Sequence, residues 1–293
     1  MSLAKKVLFS GAPLPSARQP NRRHPMPARQ TSAPRIASLV PSLTELLVAL
    51  GLRQHLVART GFCIHPREAL HDVPKVGGTK DVNLAKLERL RPTHVLVNID
   101  ENRIDTVEAM RAWGEHAPQI VVTHPGGPDD NLALVEKMLA HFGHLAGVAE
   151  RAAALLQALR CELAATQPDA RPRQEVLYLI WREPWMTVAR DTYLSRLLAR
   201  VNWQTLPEVE GGPSGAARYP ALRGDEPWLA RVQRVLLSSE PYAFTQTHLT
   251  EAAVLCPNAS VQLVDGERLS WYGPRAVAGL RYLRELALVS PPH

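Results

Sequence analysis

Twice along this chain, short apolar runs alternate with helical stretches, and a long stretch without proline separates the two series. The first series is "RIASLV", "HLVART", "THVLVNI" and "QIVVT", with "PSLTELLVALG", "NLAKLERLRP" and "DTVEAMRAWG" between them. The second is "EVLYLIW", "RVLLSS" and "SVQLVD", separated by "TYLSRLLARV" and "PRAVAGLRYLREL". Strand–helix alternation of this kind predicts parallel sheets built from βα units. The expected fold is therefore α/β, with two Rossmann-like lobes whose sheets are mostly parallel.

From Asn131 to Thr166 there is no proline and there are two glycines, Gly143 and Gly147. Val148, Ala152, Leu155, Leu156, Leu159 and Leu163 recur at helical spacing. About 18 residues at ~1.5 Å rise give a rod near 27 Å long. One long backbone helix is thus expected to join the lobes at a nearly fixed spacing. The organisation read from the sequence is a leader over 1–34, an amino-terminal lobe over 35–130, a helical region over 131–167 and a carboxy-terminal lobe over 174–293. A faint internal echo, "DVNLAKLERL" against "DEPWLARVQRV", is consistent with two related lobes.

Charge divides the chain simply. Residues 1–34 hold Lys5, Lys6, Arg18, Arg22, Arg23 and Arg29 with no acid, while the whole chain is also +6, so the remainder is neutral. A nucleic-acid domain carries its basic excess on the fold itself, so nucleic-acid binding is not expected. With six prolines between Pro13 and Pro34, the leader reads as extended or disordered. "VLFSGAPL" is short for a signal core and is broken by proline, so no standard secretory signal is read. No window approaches about 18 consecutive apolar residues, and no transmembrane segment is expected. Cys63, Cys161 and Cys256 are odd in number and far apart, which defines neither a disulfide framework nor a metal knuckle.

In open α/β sheets ligands sit beyond the carboxyl ends of the strands. Those positions hold Pro41, Ser42 and Thr44, then Phe62, Cys63 and His65, then Asn98, Asp100, Glu101 and Asn102, and His124. The second half contributes Trp181, Arg182 and Trp185, with Glu240, Tyr242, Asp265, Trp271 and Tyr272 in later loops. Ser42-Leu-Thr-Glu45 fits a helix capping box. "FCIHP" pairs a thiol with an imidazole; with Asp100, Glu101 or His124 they could form a direct zinc or iron site, or else Cys63 packs as a small hydrophobe. The carboxylates of "NIDEN" fit an acid–base pair, a docking patch or a solvated loop. Trp181, Trp185, Trp203 and Trp271, with Tyr219 and Tyr272 nearby, suit a broad, flat, partly apolar ligand, with half of these tryptophans expected in the cleft. Neither G-x-G-x-x-G nor G-K-[ST] marks a nucleotide, and neither G-x-S-x-G nor H-E-x-x-H marks a hydrolase. No catalytic constellation is assembled, and an enzyme is not expected.

The same segments resemble a known family. "RIASLVPSLTELLVALGL", "LVARTGFCIHP", "VPKVGGTKDVNLAKLERLRPTHVLVN" and "WGEHAPQIVVTHP" are similar, in order and spacing, to the class III helical-backbone substrate-binding proteins of ABC importers for vitamin B12, haem and ferric siderophores. "VLYLIWREPWMTVARDTYLSRLLARV" and "WYGPRAVAGL" agree more loosely. The resemblance implies a monomeric scaffold that holds cobalamin, haem or a ferric chelate between two lobes and needs no cofactor of its own. It implies pocket positions Pro41, Ser42, Phe62, Cys63, Trp181, Trp185, Tyr219 and Trp271. It also implies one acid per lobe docking on a permease: Glu226 in lobe two, and Glu101 or Asp105 in lobe one. The resemblance implies a periplasmic location, whereas the missing signal leaves a cytoplasmic one open. A soluble intracellular metal or tetrapyrrole carrier, and an enzyme using the same cleft, are the alternatives on this scaffold.

Overall fold

The computed structural model describes residues 33–168 and 171–288; the leader expected over 1–34 lies, up to residue 32, outside the described residues. The first lobe runs β1 (Ile36–Ser38), α1 (Pro41–Ala49), β2 (Leu56–Arg59), α2 (Arg67–Leu70), α3 (Leu84–Arg89), β3 (His94–Asn98), α4 (Ile104–Arg111) and β4 (Gln119–Thr123). Two helices follow, α5 (Asp130–Phe142) and α6 (Val148–Ala165). The second lobe runs β5 (Gln174–Leu179), α7 (Tyr193–Ala199), β6 (Trp203–Thr205), β7 (Arg234–Ser238), α8 (Gln246–Leu255), β8 (Ser260–Val264), α9 (Gly266–Ser270) and α10 (Arg275–Leu288).

Both sheets are parallel and share one topology. The first has the order β2-β1-β3-β4 and the second β6-β5-β7-β8. In each, the first strand of the lobe is central and the third lies beside it. The echo noted in the sequence falls on matching places: one copy leads into β3 and the other into β7, each the third strand of its sheet.

The strands read as unbroken apolar runs because both faces of each sheet are covered. Along β3, Leu96 belongs to one core cluster and its neighbours Val95 and Val97 to another. Along β5, Val176 and Tyr178 face one cluster while Leu177 and Leu179 face another. The inner faces of both sheets share a single core. Ile36, Leu43 and Leu96 from lobe one lie in the same cluster as Tyr178, Leu197 and Leu236 from lobe two, linked through α5, α6 and α10. The lobes are therefore joined by more than a rod. Residues of this kind, each fully removed from water, contribute roughly 1.5–3 kcal/mol apiece, so a common core ties the lobes into one cooperative body.

The expected backbone helix forms without a break over Val148–Ala165. Val148, Ala152, Leu156, Leu159 and Leu163 are buried, and Leu155 packs on the same cluster from the edge. Its carboxyl end is held from lobe two: Arg200 donates from Nη2 to the Leu163 carbonyl and from Nε to the Thr166 carbonyl, 2.7 Å each. A cation there also complements the negative end of the helix dipole. Glu162, 8% exposed, accepts Arg281 and Arg284 of α10, which fixes the terminal helix along α6. The amino end of α10 returns to lobe one, where Arg275 Nε meets Glu45 Oε2 at 2.6 Å.

That contact corrects the expected capping box. Helix α1 is capped by Val40 with no side-chain hydrogen bond, and Pro41 occupies its first turn. Proline at this position already removes one orphan N–H. Glu45 is thus free to pair across the lobes.

Candidate functional site

All strands of both sheets run toward one joint, and a cavity of about 750 Å³ opens there. Lobe one lines it from the segments after its strands: Pro41 and Ser42 after β1, Gly61, Phe62 and Ile64 after β2, Asp100 and Glu101 after β3, Pro125 after β4. Lobe two answers with Ile180 and Trp181 after β5, Glu240 and Pro241 after β7, and Glu267, Ser270, Trp271 and Tyr272 after β8. Thr192, Tyr193 and Leu194 enter from the start of α7, and Arg218 and Tyr219 from the loop before β7. The strand-end rule thus holds for both sheets at once.

Aromatic rings from both lobes form much of the wall. Phe62 is 64% exposed and Trp181 41% exposed at the mouth. Tyr178, Tyr193 and Tyr272 are buried and line the interior. Their hydroxyls are satisfied within the protein: Tyr178 donates to Ser238 Oγ at 2.9 Å, and Tyr193 accepts from Asn131 Nδ2 at 3.1 Å. The Asn131 carbonyl oxygen accepts the Gly273 N–H at 2.6 Å. Gly273 has φ +79°, a backbone that favours glycine. One buried amide thereby joins the starts of α5, α7 and α10 beneath the cavity.

Phe62 is presented by a loop with a rigid base. Arg59, 6% exposed, donates to the carbonyls of Leu70, Thr60 and Cys63 at 3.0–3.2 Å. The Gly61 N–H donates to Gly77 O at 2.7 Å, tying this loop to the "KVGG" turn. Gly77, at φ +99°, admits no side chain, since a Cβ would lie 2.2 Å from Asp81 O.

The sequence candidates separate in space. Pro41, Ser42, Phe62, Trp181, Tyr219 and Trp271 line the cavity, as do Asp100 and Glu101. Cys63 does not: it is fully buried, with Sγ 3.1 Å from Thr60 Oγ1, and burial pushes its thiol up. Trp185 does not either. The chain reverses between Trp181 and Met186, and Trp185 stacks on Phe244 at 5.9 Å in the outer core of lobe two. Trp203 is core, 3% exposed, so two of the four tryptophans named above reach the cleft.

The proposed direct metal set is likewise dispersed. His65 packs edge-on to Trp271 and lies 3.6 Å from Glu267; His124 pairs with Asp100 at 3.2 Å; Cys63 faces the core. Among the described residues no group of three or more His, Cys, Asp or Glu side chains is placed to hold a metal ion. The donors sit at neighbouring strand ends, but their side chains turn to different partners.

The docking acids also divide. Asp105 is on the outer surface, paired with Arg103 at 2.5 Å. Glu226 accepts the backbone N–H groups of Arg223 and Gly224 at 2.7 and 2.9 Å. Glu101 lines the cavity instead, where it accepts the Tyr272 hydroxyl at 3.3 Å. Burial, with smaller contributions from Glu240 and Asp100, pushes its carboxyl up to about 7.

Sequence reasoning missed Tyr178, Tyr193 and Arg218. The two tyrosines lie inside apolar runs and read as core, and Arg218 sits in a loop without periodicity. Arg218 is 2% exposed and reaches across to Asp100 Oδ1 at 3.2 Å.

Comparison with known proteins places this geometry. A curated relative, the uncharacterised ABC transporter substrate-binding lipoprotein YvrC of Bacillus subtilis (strain 168), is 21% identical over 86% of this chain and 79% of its own. The periplasmic vitamin B12 binding protein BtuF of Vibrio cholerae superposes with a TM-score of 0.68 at 21% identity, over 88% of this chain and 99% of its own. The periplasmic haem-binding protein HutB of Vibrio cholerae gives 0.70 at 18% identity, over 88% and 100%. At these identities the superpositions establish the fold. The family model described as periplasmic binding protein matches residues 36–216, more than half of the sequence. With two parallel-sheet lobes, one backbone helix and a cleft where both sheets end, this chain belongs to the periplasmic binding protein family.

Proposed function

We propose that this chain is a substrate-binding protein that holds a bulky macrocyclic metal chelate, in the first place a corrinoid, in the interlobe cavity and delivers it to an ABC permease. The observation that carries this reading is the aromatic-walled cavity of about 750 Å³ at the meeting of the two sheets. That volume lies in the range of about 300–1,000 Å³ usual for compact organic ligands and far exceeds what a bare ion needs. Flat aromatic faces are matched by flat, polarisable rings. The names of the similar proteins support the same class, since one is a vitamin B12 binding protein and another a haem-binding protein. The lipoprotein relative supports a working place outside the cytoplasm. Asp105 and Glu226, one from each lobe, are the proposed permease contacts.

Equilibrium dialysis of the full chain against cyanocobalamin, haemin, ferric chelates and zinc chloride tests the reading. One macrocycle bound per chain is expected. Binding of zinc alone, or of none of these, overturns it. Fractionation of cells that express the native gene tests the location, with the protein expected outside the cytoplasm.

A further inference from the structure

The charges that line the cavity are unevenly matched. Four acids, Asp100, Glu101, Glu240 and Glu267, stand against one arginine, Arg218. Arg218 is already engaged, 3.2 Å from Asp100 and 3.5 Å from Asp191, with Nη1 donating to Gly212 O at 2.7 Å. Glu267 pairs with Arg275. Glu101 and Glu240 form no ion pair among the described residues; their hydrogen bonds come from neutral donors. The Tyr272 hydroxyl donates to Glu101 Oε1 at 3.3 Å, and Trp271 Nε1 and Ser270 Oγ donate to Glu240 Oε1 at 2.7 Å each.

Three consecutive residues of lobe two, Ser270–Tyr272, therefore position one acid from each lobe. All of these bonds fall on Oε1, so among the described residues each Oε2 has no protein donor and is open to a ligand. Burial pushes both carboxyls up, outweighing the opposing pull of Lys80 on Glu101 and of Arg275 on Glu240.

We propose that Glu101 and Glu240 are specificity-determining residues of this cavity, selecting a neutral or cationic macrocycle rimmed with amide N–H donors and rejecting one rimmed with carboxylates. The inference rests on the cavity being the ligand site, and it deepens that reading by fixing the ligand's edge chemistry. Amide donors complete the open acceptors with charge-assisted bonds. Ligand carboxylates would instead meet like charges in a cavity whose one lining cation, Arg218, is already engaged, and like-charge juxtaposition is a strong means of rejection.

The test titrates the full chain at pH 8, above the value of about 7 near which Glu101 titrates, with dicyanocobinamide, whose rim is amides, and with dicyanocobyrinic acid, the same ring bearing carboxylates. Haemin serves as a second carboxylate ring. The native chain is expected to prefer the amide ring by about 100-fold, on the scale of two charged hydrogen bonds. In Glu101→Gln with Glu240→Gln this preference falls by about tenfold or more, and haemin binding strengthens. Each single variant shifts the ratio the same way, which keeps the test open should the double variant fold poorly. Binding of both rings with an unchanged ratio overturns the assignment alone. Failure of the native chain to bind any of the three rings overturns the cavity reading, and the assignment with it.

Discussion

Asp100 and Arg218 meet across the cleft, with Oδ1 of the one 3.2 Å from Nε of the other and both atoms out of reach of water. Asp100 also receives His124 at 3.2 Å, and Arg218 continues to Asp191 at 3.5 Å. A chain of polar contacts thus crosses from the ends of β3 and β4 to lobe two, along one edge of the cavity. Buried pairs of this kind add little net stability over an apolar substitute, but losing one partner strands the other.

Arg218→Met is therefore expected to destabilise the chain by about 3 kcal/mol, because it strands Asp100. For a protein of this size that corresponds to a fall in Tm of roughly 6–12 °C. Adding Asp100→Asn should restore part of the loss. Thermal unfolding of the single and double variants checks this; additive losses would contradict the coupling.

The shared inner core predicts that the lobes unfold together. Trp113 packs in the outer core of lobe one and Trp203 in the common cluster on the lobe-two side. Denaturation followed by single-tryptophan versions at these two positions should give coincident curves. Leu159→Ala, in the middle of α6, should shift both by about 2–5 kcal/mol. Separate transitions would show that the lobes are independent.

Glu101 predicts a pH dependence. Its carboxyl titrates near 7 in the fold against 4.5 as a free side chain, because burial outweighs the Tyr272 hydroxyl and Lys80, while Glu240 and Asp100 add to the rise. The folded chain therefore binds more protons than the unfolded chain between these values, and stability falls as pH rises from 4.5 through 7. The full effect is about 3 kcal/mol at 1.36 kcal/mol per unit. Glu101→Gln should stabilise the ligand-free protein at pH 8 and change little at pH 4.5. An equal effect at both values would contradict the buried acid.

The thiols should differ sharply in reactivity. Cys161 is exposed, whereas burial pushes Cys63 up and Cys256 to about 12. Since the thiolate is the reactive form, one fast equivalent with a disulfide reagent is expected from the native protein, and three after unfolding. Fast reaction of Cys63 would contradict its place in the core.

The outer acids should serve transport without serving binding. Asp105→Arg with Glu226→Arg is expected to abolish uptake through the cognate permease while leaving ligand affinity within about twofold, since neither residue lines the cavity. Retained uptake would remove both from the docking surface.

Much of the fold was legible because parallel strands buried on both faces are apolar throughout, and α6 carries an unbroken stripe. Strand β6 was not, because Trp203–Thr205 (WQT) carries no apolar run, and neither was α8, where Ala252 is the one fully buried residue. The site was legible to the level of strand ends. Side-chain direction was not: Trp181 and Trp185 are four residues apart, yet a tight reversal sends one to the cavity and the other to the outer core. Cys63 and His65 looked like paired ligands, but the loop pinned by Arg59 turns the thiol inward and leaves Phe62 facing out.

The most direct measurement is calorimetric titration of the full chain with cyanocobalamin, beside a Phe62→Ala, Trp181→Ala variant. These two rings come from opposite lobes and are exposed at the mouth, so their removal spares the core. A single site per chain, weakened about tenfold or more in the variant at roughly 1–2 kcal/mol per lost aromatic contact, is the predicted result. Equal binding by both proteins, or none by either, would contradict a ligand held between the lobes.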